Sequence, residues 1–528
     1  MKSHILITGK LHPLALRLFE SAKDVEVSYH PDISAAEMLP LIAKAHAIVS
    51  RSETDVTREM IDQAPHLKVI ARAAVGVGNI DVDYATDKGI LVINTPGKNT
   101  NSAAELAFGL LLSAVRKIVP AHGHMLEQRW DRHRFTGTEL LGKTIGIIGL
   151  GNVGHRVARF AHAFDMTVLA YDPYIADEVF ESHGARKVTF GTLIAESDIV
   201  TIHTPKTRET TNMIAAPQLA AMKKGVVLIN AARGGLFHEG DLLAALKGGH
   251  VGAAGIDTWE REPPRDNPFR LLPNVVMTPH IGASTEEAQV RVAESIAEQT
   301  LRAVRDEVVD YPVNMPQVRV IASPRVKTYT VLAEKLGMFA VQSLDFNPSQ
   351  IAILYRGELK AEEGGMIRRA FLKGFLKNTA EEVISFVNAE RKATERGIQV
   401  IETDDPAFRD YQSAVKFVVS HGTQQFVIGG VVFGENNYRL SLVNEWAFEV
   451  IPSGELLTVL NVDRPGVIGQ VGTILSEHHV NISQFELSRN MPGGQAMSLI
   501  RVDQPVDGTV LEALRSLSNV VSVRRIVV

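Results

Sequence analysis

The sequence predicts an α/β protein, in which two parallel-sheet lobes, one inserted into the other, precede an α+β unit and a small ferredoxin-like unit. Three observations support this. Short apolar runs alternate with helical stretches from the N-terminus to about residue 315, and such alternation builds a parallel sheet covered on both faces. The pattern begins afresh at the run TIGIIGLG after Gly142. Residues 455–528 read strand, helix, strand, strand, helix, strand, the β-α-β-β-α-β order of a split βαβ unit.

In the first lobe, strands are expected at 4–9, 25–28, 47–49, 68–72 and 91–94. In the second they are expected at 144–148, 167–171, 199–203, 226–230, 253–257 and 275–278. Ser102 and Glu105 match a capping box directly before the apolar run LAFGLLLSAVRKIV. They predict a long, largely buried helix from Ser102 to about His122, and a second should run from Ser284 to about Val304. These helices would hinge a lobe of residues 99–282 to one formed by 1–98 and 283–315. The texture changes after Tyr311-Pro312-Val313-Asn314, giving further units at 318–452 and 455–528. The basic stretch RRAFLKGFLK (368–377) reads as the wet face of an amphipathic helix rather than an anion site.

Composition excludes several functions. A chain of 528 residues exceeds one hydrophobic core, and 45% apolar with 22% charged residues is ordinary for a globular protein. A net charge of −5 argues against a nucleic-acid partner, because phosphate neutralisation needs a basic surface. With no cysteine, disulfides, Cys-ligated zinc, iron–sulfur clusters and thiol catalysis are excluded, and no metal site is expected. No segment approaches the roughly 20 apolar residues of a membrane span, and the N-terminus lacks the h-region of a signal peptide. A cytoplasmic protein is the expectation.

Gly149, Gly151 and Gly154 form a G-x-G-x-x-G pattern between a strand and a helix, and Asp172 ends the next strand. In that context the pattern is a dinucleotide fingerprint, so the lobe is Rossmann-like. The glycines permit the turn, the approach of the pyrophosphate and close helix–strand packing, and the helix N-terminus receives the anion. A carboxylate at Asp172 accepts ribose hydroxyls and repels a 2′-phosphate, so the cofactor should be NAD.

Arg233, Glu262 and His280 each follow a different strand of the same lobe. Residues beyond the carboxyl ends of such strands line the ligand crevice. The trio suits a 2-hydroxy or 2-oxo acid. A guanidinium holds the carboxylate and polarises the carbonyl. An imidazole moves the proton that accompanies hydride transfer, and a carboxylate orients that imidazole and raises its pKa.

The motifs LGKTIGIIGLGNVG, YDPY, NAARGGL, GIDTWEREPP and TPHIGAST resemble the D-2-hydroxyacid dehydrogenase family. The resemblance, over about residues 1–315, implies catalytic roles for Arg233, Glu262 and His280. It also implies cofactor contacts from Asn152, Val153, Thr204, Pro205, Ala231, Asp257 and Gly282, with Arg233 and His280. SRSET, VGVGNID and NTPGKNTNSAAE are similar to the family's substrate loops, which implies Arg51, Ser52, Val75, Gly76 and Asn99 as substrate contacts. Gly78 and the pair Phe237-His238 depart from the common pattern of Asp and Val-Asp.

Residues 455–528 resemble an ACT domain, a module that commonly binds amino acids at paired interfaces. With the unit before it, the arrangement resembles the long-form branch of the family. That resemblance implies oxidation of 3-phospho-D-glycerate to 3-phosphooxypyruvate with NAD, the first committed step of L-serine biosynthesis, with L-serine as feedback inhibitor. Cations at Arg51 and in the cluster Arg129, Arg132 and Arg134 suit a phosphate, with Arg132 taken as a substrate contact. Asn461, Asp463 and Asn481 are candidates to hold an amino-acid effector together. Paired ACT units and the helix at 102–122 imply a homodimer or homotetramer. Two alternatives stand: a glyoxylate/hydroxypyruvate reductase, or a non-enzymatic NAD-sensing corepressor.

Overall fold

The first sheet contains β1 (Ser3–Thr8), β2 (Val25–His30), β3 (Ala47–Ser50), β4 (Val69–Arg72) and β5 (Leu91–Ile93). All are parallel, in the order β2-β1-β3-β4-β5. The computed structural model describes residues 2–51, 54–315, 324–377, 383–405 and 410–528. β3 and β4 are buried along their whole length, as expected of a parallel sheet covered on both faces.

The second sheet contains β6 (Thr144–Ile148), β7 (Thr167–Tyr171), β8 (Arg186–Lys187), β9 (Ile199–Ile202), β10 (Val226–Asn230), β11 (Val251–Ile256) and β12 (Val275–Met277). It too is parallel, in the order β12-β11-β10-β9-β6-β7-β8. The strand order reverses between β6 and β9, which opens a crevice beyond their carboxyl ends. The two-lobe parallel architecture agrees with the sequence.

The first hinge helix departs from expectation. It runs Thr100–Val115, stops, and resumes as Ile118–Leu126. Lys117, at φ 53°, makes the break. Pro120 has no N–H for the Arg116 carbonyl, and the Val115 carbonyl accepts from Thr138 N–H at 3.0 Å. The capping box is not formed either. Asn99 occupies the N-cap, and Ser102 lies inside the helix with its buried hydroxyl lacking a partner among the described residues. Ala104, Ala107, Phe108, Leu110 and Leu111 of this helix join the core of the second sheet. The second hinge helix, Glu286–Val304, instead gives Val292, Ala293, Ile296 and Ala297 to the core of the first sheet.

The third sheet holds β13 (Gln350–Gly357), β14 (Gln399–Asp405), β15 (Ser413–His421), β16 (Gln424–Phe433), β17 (Asn437–Val443) and β18 (Trp446–Val450). Only the β13–β14 pairing is parallel. Helices Pro324–Ser343 and Gly365–Leu376 cover it, burying Tyr329, Leu336, Phe339 and Phe371. Arg368 and Arg369 do not form the wet face expected of them. Arg368 pairs with Glu390 and Glu402, and Arg369, 6% exposed, pairs with Glu390. A buried guanidinium requires such partners, so the stretch is an internal ion-pair network.

The last sheet is antiparallel: β19 (Glu455–Val462), β20 (Ile482–Arg489), β21 (Gln495–Val502) and β22 (Val520–Val527), in the order β20-β21-β19-β22. One face carries the helices Val467–Glu477 and Gly508–Arg515 through Leu457, Val471, Leu475 and Leu514. The other face sends Leu456, Leu499 and Ile526 into the core of the third sheet, so these two units share a core. Among the described residues no helix is long and apolar enough to cross a membrane.

Phe371 is fully buried and stacks on Phe417 with centroids 3.9 Å apart. Phe371→Ala should destabilise this C-terminal core by about 3–5 kcal/mol while NADH binding persists. Denaturant unfolding followed beside an NADH titration checks this.

Candidate active site

The nucleotide crevice forms where β6 and β7 end. Gly149, at φ 90°, turns the chain where a Cβ would lie 3.0 Å from the His203 carbonyl oxygen. A Cβ on Gly154 would lie 2.1 Å from the Gly149 carbonyl oxygen, so only glycine lets the helix Gly154–Ala163 approach its strand. A Cβ on Gly151 would meet nothing within 4 Å, leaving the loop open on the side where a pyrophosphate approaches. Asp172 follows β7, and its carboxylate accepts from the N–H groups of Leu150 (3.1 Å) and Tyr174 (3.0 Å). Asn152 and Val153 lie between the glycines, Asn152 giving its carbonyl to Arg156 at 2.8 Å. Past β9, the buried Thr204 hydroxyl has no partner among the described residues, while the Pro205 carbonyl accepts from Thr210 at 2.6 Å. This loop, with an orphaned hydroxyl opposite it, fits an NAD pyrophosphate and ribose.

The trio lies beyond β10, β11 and β12. Asn230, buried at the end of β10, donates to the Arg233 carbonyl (2.9 Å) and accepts from Ala232 N–H (3.1 Å), so the turn through Ala231 to Arg233 is fixed. Asp257, also buried, accepts from the Thr278 hydroxyl (2.6 Å), Ile281 N–H (2.8 Å) and Gly282 N–H (3.0 Å). His280 N–H donates to the Asp257 carbonyl at 2.9 Å while His280 adopts φ 54°. That clamp brings His280 Nδ1 to 2.7 Å from Glu262 Oε2. Glu262 Oε1 in turn accepts from Trp259 N–H at 3.1 Å.

The electrostatics follow from this geometry. The hydrogen bond to Glu262 raises the His280 pKa above 6.5, against partial burial, with Glu262 and Asp257 adding attraction and Arg233 opposing. Burial pushes the Glu262 carboxyl up, but its bonds to His280 and Trp259, with the Arg233 charge, hold it below its ordinary value. Burial lowers the Arg233 pKa, partly offset by Glu262. Because Nδ1 is engaged with Glu262, Nε2 of His280 is the nitrogen left to face a substrate.

The first lobe supplies the opposite wall. A Cβ on Gly76 would stand 3.3 Å from Arg233 Nη2, so the loop 75–81 touches the guanidinium across the crevice. Asn94 Nδ2 donates to the Val75 carbonyl at 2.7 Å, and Arg72 Nε donates to the Gly76 carbonyl at 3.1 Å. Asn99 sits at the start of the first hinge helix with no side-chain capping bond. Arg51 Nη1 donates to Gln289 Oε1 (2.8 Å) and to the Lys10 carbonyl (3.0 Å). Ser52 lies outside the described residues.

Two expectations are not met within one chain. Arg132 sits in the exposed turn Arg132–Phe135, while Arg129 pairs with Glu127 (3.1 Å) and Arg134 bonds His124 (3.3 Å). The cluster belongs to the largely exposed arm of residues 118–141, and among the described residues none of its arginines bonds the trio. The effector candidates are also divided. β19 and β20 both run antiparallel to β21, so they are parallel to each other. Asn461 and Asp463 lie at the end of β19 and Asn481 at the start of β20, opposite ends of the sheet. The departure at Phe237-His238 is accommodated: Phe237 is buried, and His238 Nδ1 caps its helix by accepting from Asp241 N–H at 3.3 Å.

Gln289 entered the site unannounced by any motif, because its bond to Arg51 spans 238 residues of chain; Asn230 and Thr278 open the NAARGGL and TPHIGAST motifs, whose resemblance implied no role for them. In the oxidation direction, kcat should rise with pH through the raised His280 pKa, above 6.5. Glu262→Gln should move that inflection to lower pH and lower the plateau by roughly 10- to 100-fold. A pH–rate profile decides; an unmoved inflection would show that Glu262 does not set the proton affinity.

Comparison with known proteins agrees with this geometry. Residues 108–282 match the D-isomer specific 2-hydroxyacid dehydrogenase NAD binding domain, 325–444 the D-3-phosphoglycerate dehydrogenase intervening domain, and 456–519 the ACT domain. The chain is 41% identical to a D-3-phosphoglycerate dehydrogenase of Methanocaldococcus jannaschii, covering 98% of both chains. It is 40% identical to one of Archaeoglobus fulgidus, covering 94% of this chain and 95% of that one. Among solved structures, the TT0316 protein of Thermus thermophilus superposes with TM-score 0.55 at 34% identity over 59% of this chain and 99% of that one. A D-lactate dehydrogenase of Aquifex aeolicus complexed with NAD and lactic acid superposes with TM-score 0.54 at 27% identity, covering 59% and 100%. With a glycine loop shaped for NAD, an Arg-Glu-His constellation and relatives matched along almost their full length, the chain belongs to the NAD-dependent D-2-hydroxyacid dehydrogenases, in the branch of the D-3-phosphoglycerate dehydrogenases.

Proposed function

We propose that this protein oxidises 3-phospho-D-glycerate to 3-phosphooxypyruvate with NAD, in the cytoplasm, as the first committed step of L-serine biosynthesis. The carrying observation is one chain that joins the Arg233–Glu262–His280 site to intervening and ACT domains and aligns with a D-3-phosphoglycerate dehydrogenase over 98% of both chains. Residues 1–98 with 283–315 would bind substrate, 99–282 NAD, 318–452 would form the intervening domain and 455–528 the regulatory one.

When bound, NAD supplies the hydride acceptor. Arg233 holds the substrate carboxylate through charge-assisted hydrogen bonds and draws on the C2 oxygen. His280 Nε2 takes the hydroxyl proton as the C2 hydride departs, and Glu262 stabilises the resulting imidazolium. Gly76, Val75 and Asn99 shape the opposite wall, and Arg51 meets the phosphate.

Ile118, Val119, Met125, Leu126, Trp130 and Leu141 are exposed on the arm, Trp130 by 81%. Such a patch on a folded chain marks a protein interface, and its occupant here is a second copy. We therefore assign Arg132, carried on that arm, to the crevice of the second copy. A two-fold pairing through β20, the sheet's edge strand, would likewise bring Asn481 of one copy toward Asn461 and Asp463 of the other. The Asn461 side-chain oxygen, buried without a partner among the described residues, supports an amino-acid site there, which we assign to L-serine.

An NADH absorbance assay should show turnover of 3-phosphooxypyruvate well above that of glyoxylate or hydroxypyruvate, falling on addition of L-serine. Equal or better turnover of glyoxylate would defeat the phosphoglycerate reading, and NADH binding without any turnover would favour a sensor. By light scattering, Trp130→Asp should weaken the dimer by about tenfold or more; an unaltered mass on dilution would place the interface elsewhere.

A further inference from the structure

Arg51 leaves β3 beside Gly9, whose φ of 86° and missing side chain let the arginine stem pass, since a Cβ there would lie 3.0 Å from Arg51 Cβ. Its guanidinium does not hang free. Gln289, on the second hinge helix, accepts from Arg51 Nη1 at 2.8 Å through Oε1. The same amide donates through Nε2 to the Ala283 carbonyl at 2.8 Å. Ala283 lies three residues beyond His280, so one side chain ties the first-lobe cation to the loop that carries the proton-transfer group. One turn earlier on the same helix face, Glu286 pairs with His12 at 3.0 Å. That pair fastens the loop whose Lys10 carbonyl is the second acceptor for Arg51.

A primary amide is suited to this place because it is neutral, accepts at one end and donates at the other. A carboxylate of the same length would take Arg51 into an ion pair and set a like-signed oxygen against the Ala283 carbonyl. An apolar side chain would hold neither partner.

We propose that Gln289 is a positioning residue that presents Arg51 to the substrate's phosphate and registers it against the His280 loop. This rests on the assignment of Arg51 to the phosphate. Because Gln289 acts through Arg51, its contribution falls on substrate affinity more than on the chemical step.

The test compares steady-state reduction of 3-phosphooxypyruvate by the full-length enzyme carrying Gln289→Glu, Gln289→Met, Arg51→Gln, or Arg51→Gln with Gln289→Glu. Gln289→Glu should raise KM for 3-phosphooxypyruvate by about tenfold or more, with kcat and the KM for NADH changed by less than about threefold. Gln289→Met, which keeps the length without the hydrogen bonds, should move KM in the same direction by less. In the Arg51→Gln background, Gln289→Glu should add little. If both Gln289 variants leave KM unchanged while Arg51→Gln raises it, the positioning role is overturned and the Arg51 assignment stands. If Arg51→Gln itself leaves KM unchanged, the phosphate assignment falls first. A parallel loss of kcat and NADH affinity would make Gln289 merely structural and also overturn the proposal.

Discussion

The Asp257 carboxylate is the constraint on which the site depends. It sits buried just beyond β11 and collects three hydrogen bonds from the segment Thr278–Gly282, while its own carbonyl takes the His280 N–H. A buried carboxylate is costly unless its lone pairs are filled, so the segment that fills them is held tightly. Holding it places His280 in a left-handed backbone conformation, which a non-glycine residue adopts only when its surroundings enforce it. The imidazole then has one direction to point, toward Glu262. Backbone strain, buried charge and catalytic geometry are thus one arrangement.

Around that clamp, parallel-sheet topology does the remaining assembly. Arg233, Glu262 and His280 follow three neighbouring strands, β10, β11 and β12, whose carboxyl ends open on the same side. The nucleotide loop follows β6, across the point where strand order reverses. The opposing wall comes from the first sheet, and the two lobes meet where Gly76 leaves room for Arg233. The hinge helices are shared unequally, the first packed into the nucleotide lobe and the second into the substrate lobe. Relative movement of the lobes therefore bears on segments near Asn99 and Ala283, both beside the crevice.

What could be read in advance was local. The glycine pattern around Gly149, Gly151 and Gly154 states backbone requirements that hold wherever such a loop follows a strand, and the fold met them. The residues after apolar strands were legible because strand ends face one crevice. The break after Val115 was missed: the helix was expected to run on to His122, past Pro120, which lacks the N–H that a continuous helix needs. The separation of Asn461 from Asn481 follows from the β-α-β-β-α-β order itself, since its first two strands run parallel. The clamp by Asp257, the hold of Asn230 on Arg233 and the bridge through Gln289 were not legible. The clamp and the Arg51–Gln289 bond join residues from separate elements, the Asn230 turn is a three-residue contact that the apolar pattern does not signal, and an Arg368–Glu390–Glu402 network looks in sequence like any basic helix.

The C-terminal sheets add a consequence for regulation. Leu456, Leu499 and Ile526 fuse the last sheet to the core of the intervening unit. Ser385 and Asn388 of that unit in turn bond the Gly89 and Asp87 carbonyls of the first lobe at 2.7 and 3.2 Å. A continuous packed route therefore runs from the last sheet to the lobe bearing Arg51 and Gly76. At the active site, the role proposed for His280, oriented by Glu262, is to move the proton that accompanies hydride transfer. Stopped-flow single-turnover reduction of 3-phosphooxypyruvate by His280→Gln, beside a fluorescence titration with NADH, tests it most directly. The hydride-transfer rate should fall by about 10²- to 10⁴-fold with NADH affinity essentially unchanged; hydride transfer at the unsubstituted rate would rule out that role for His280.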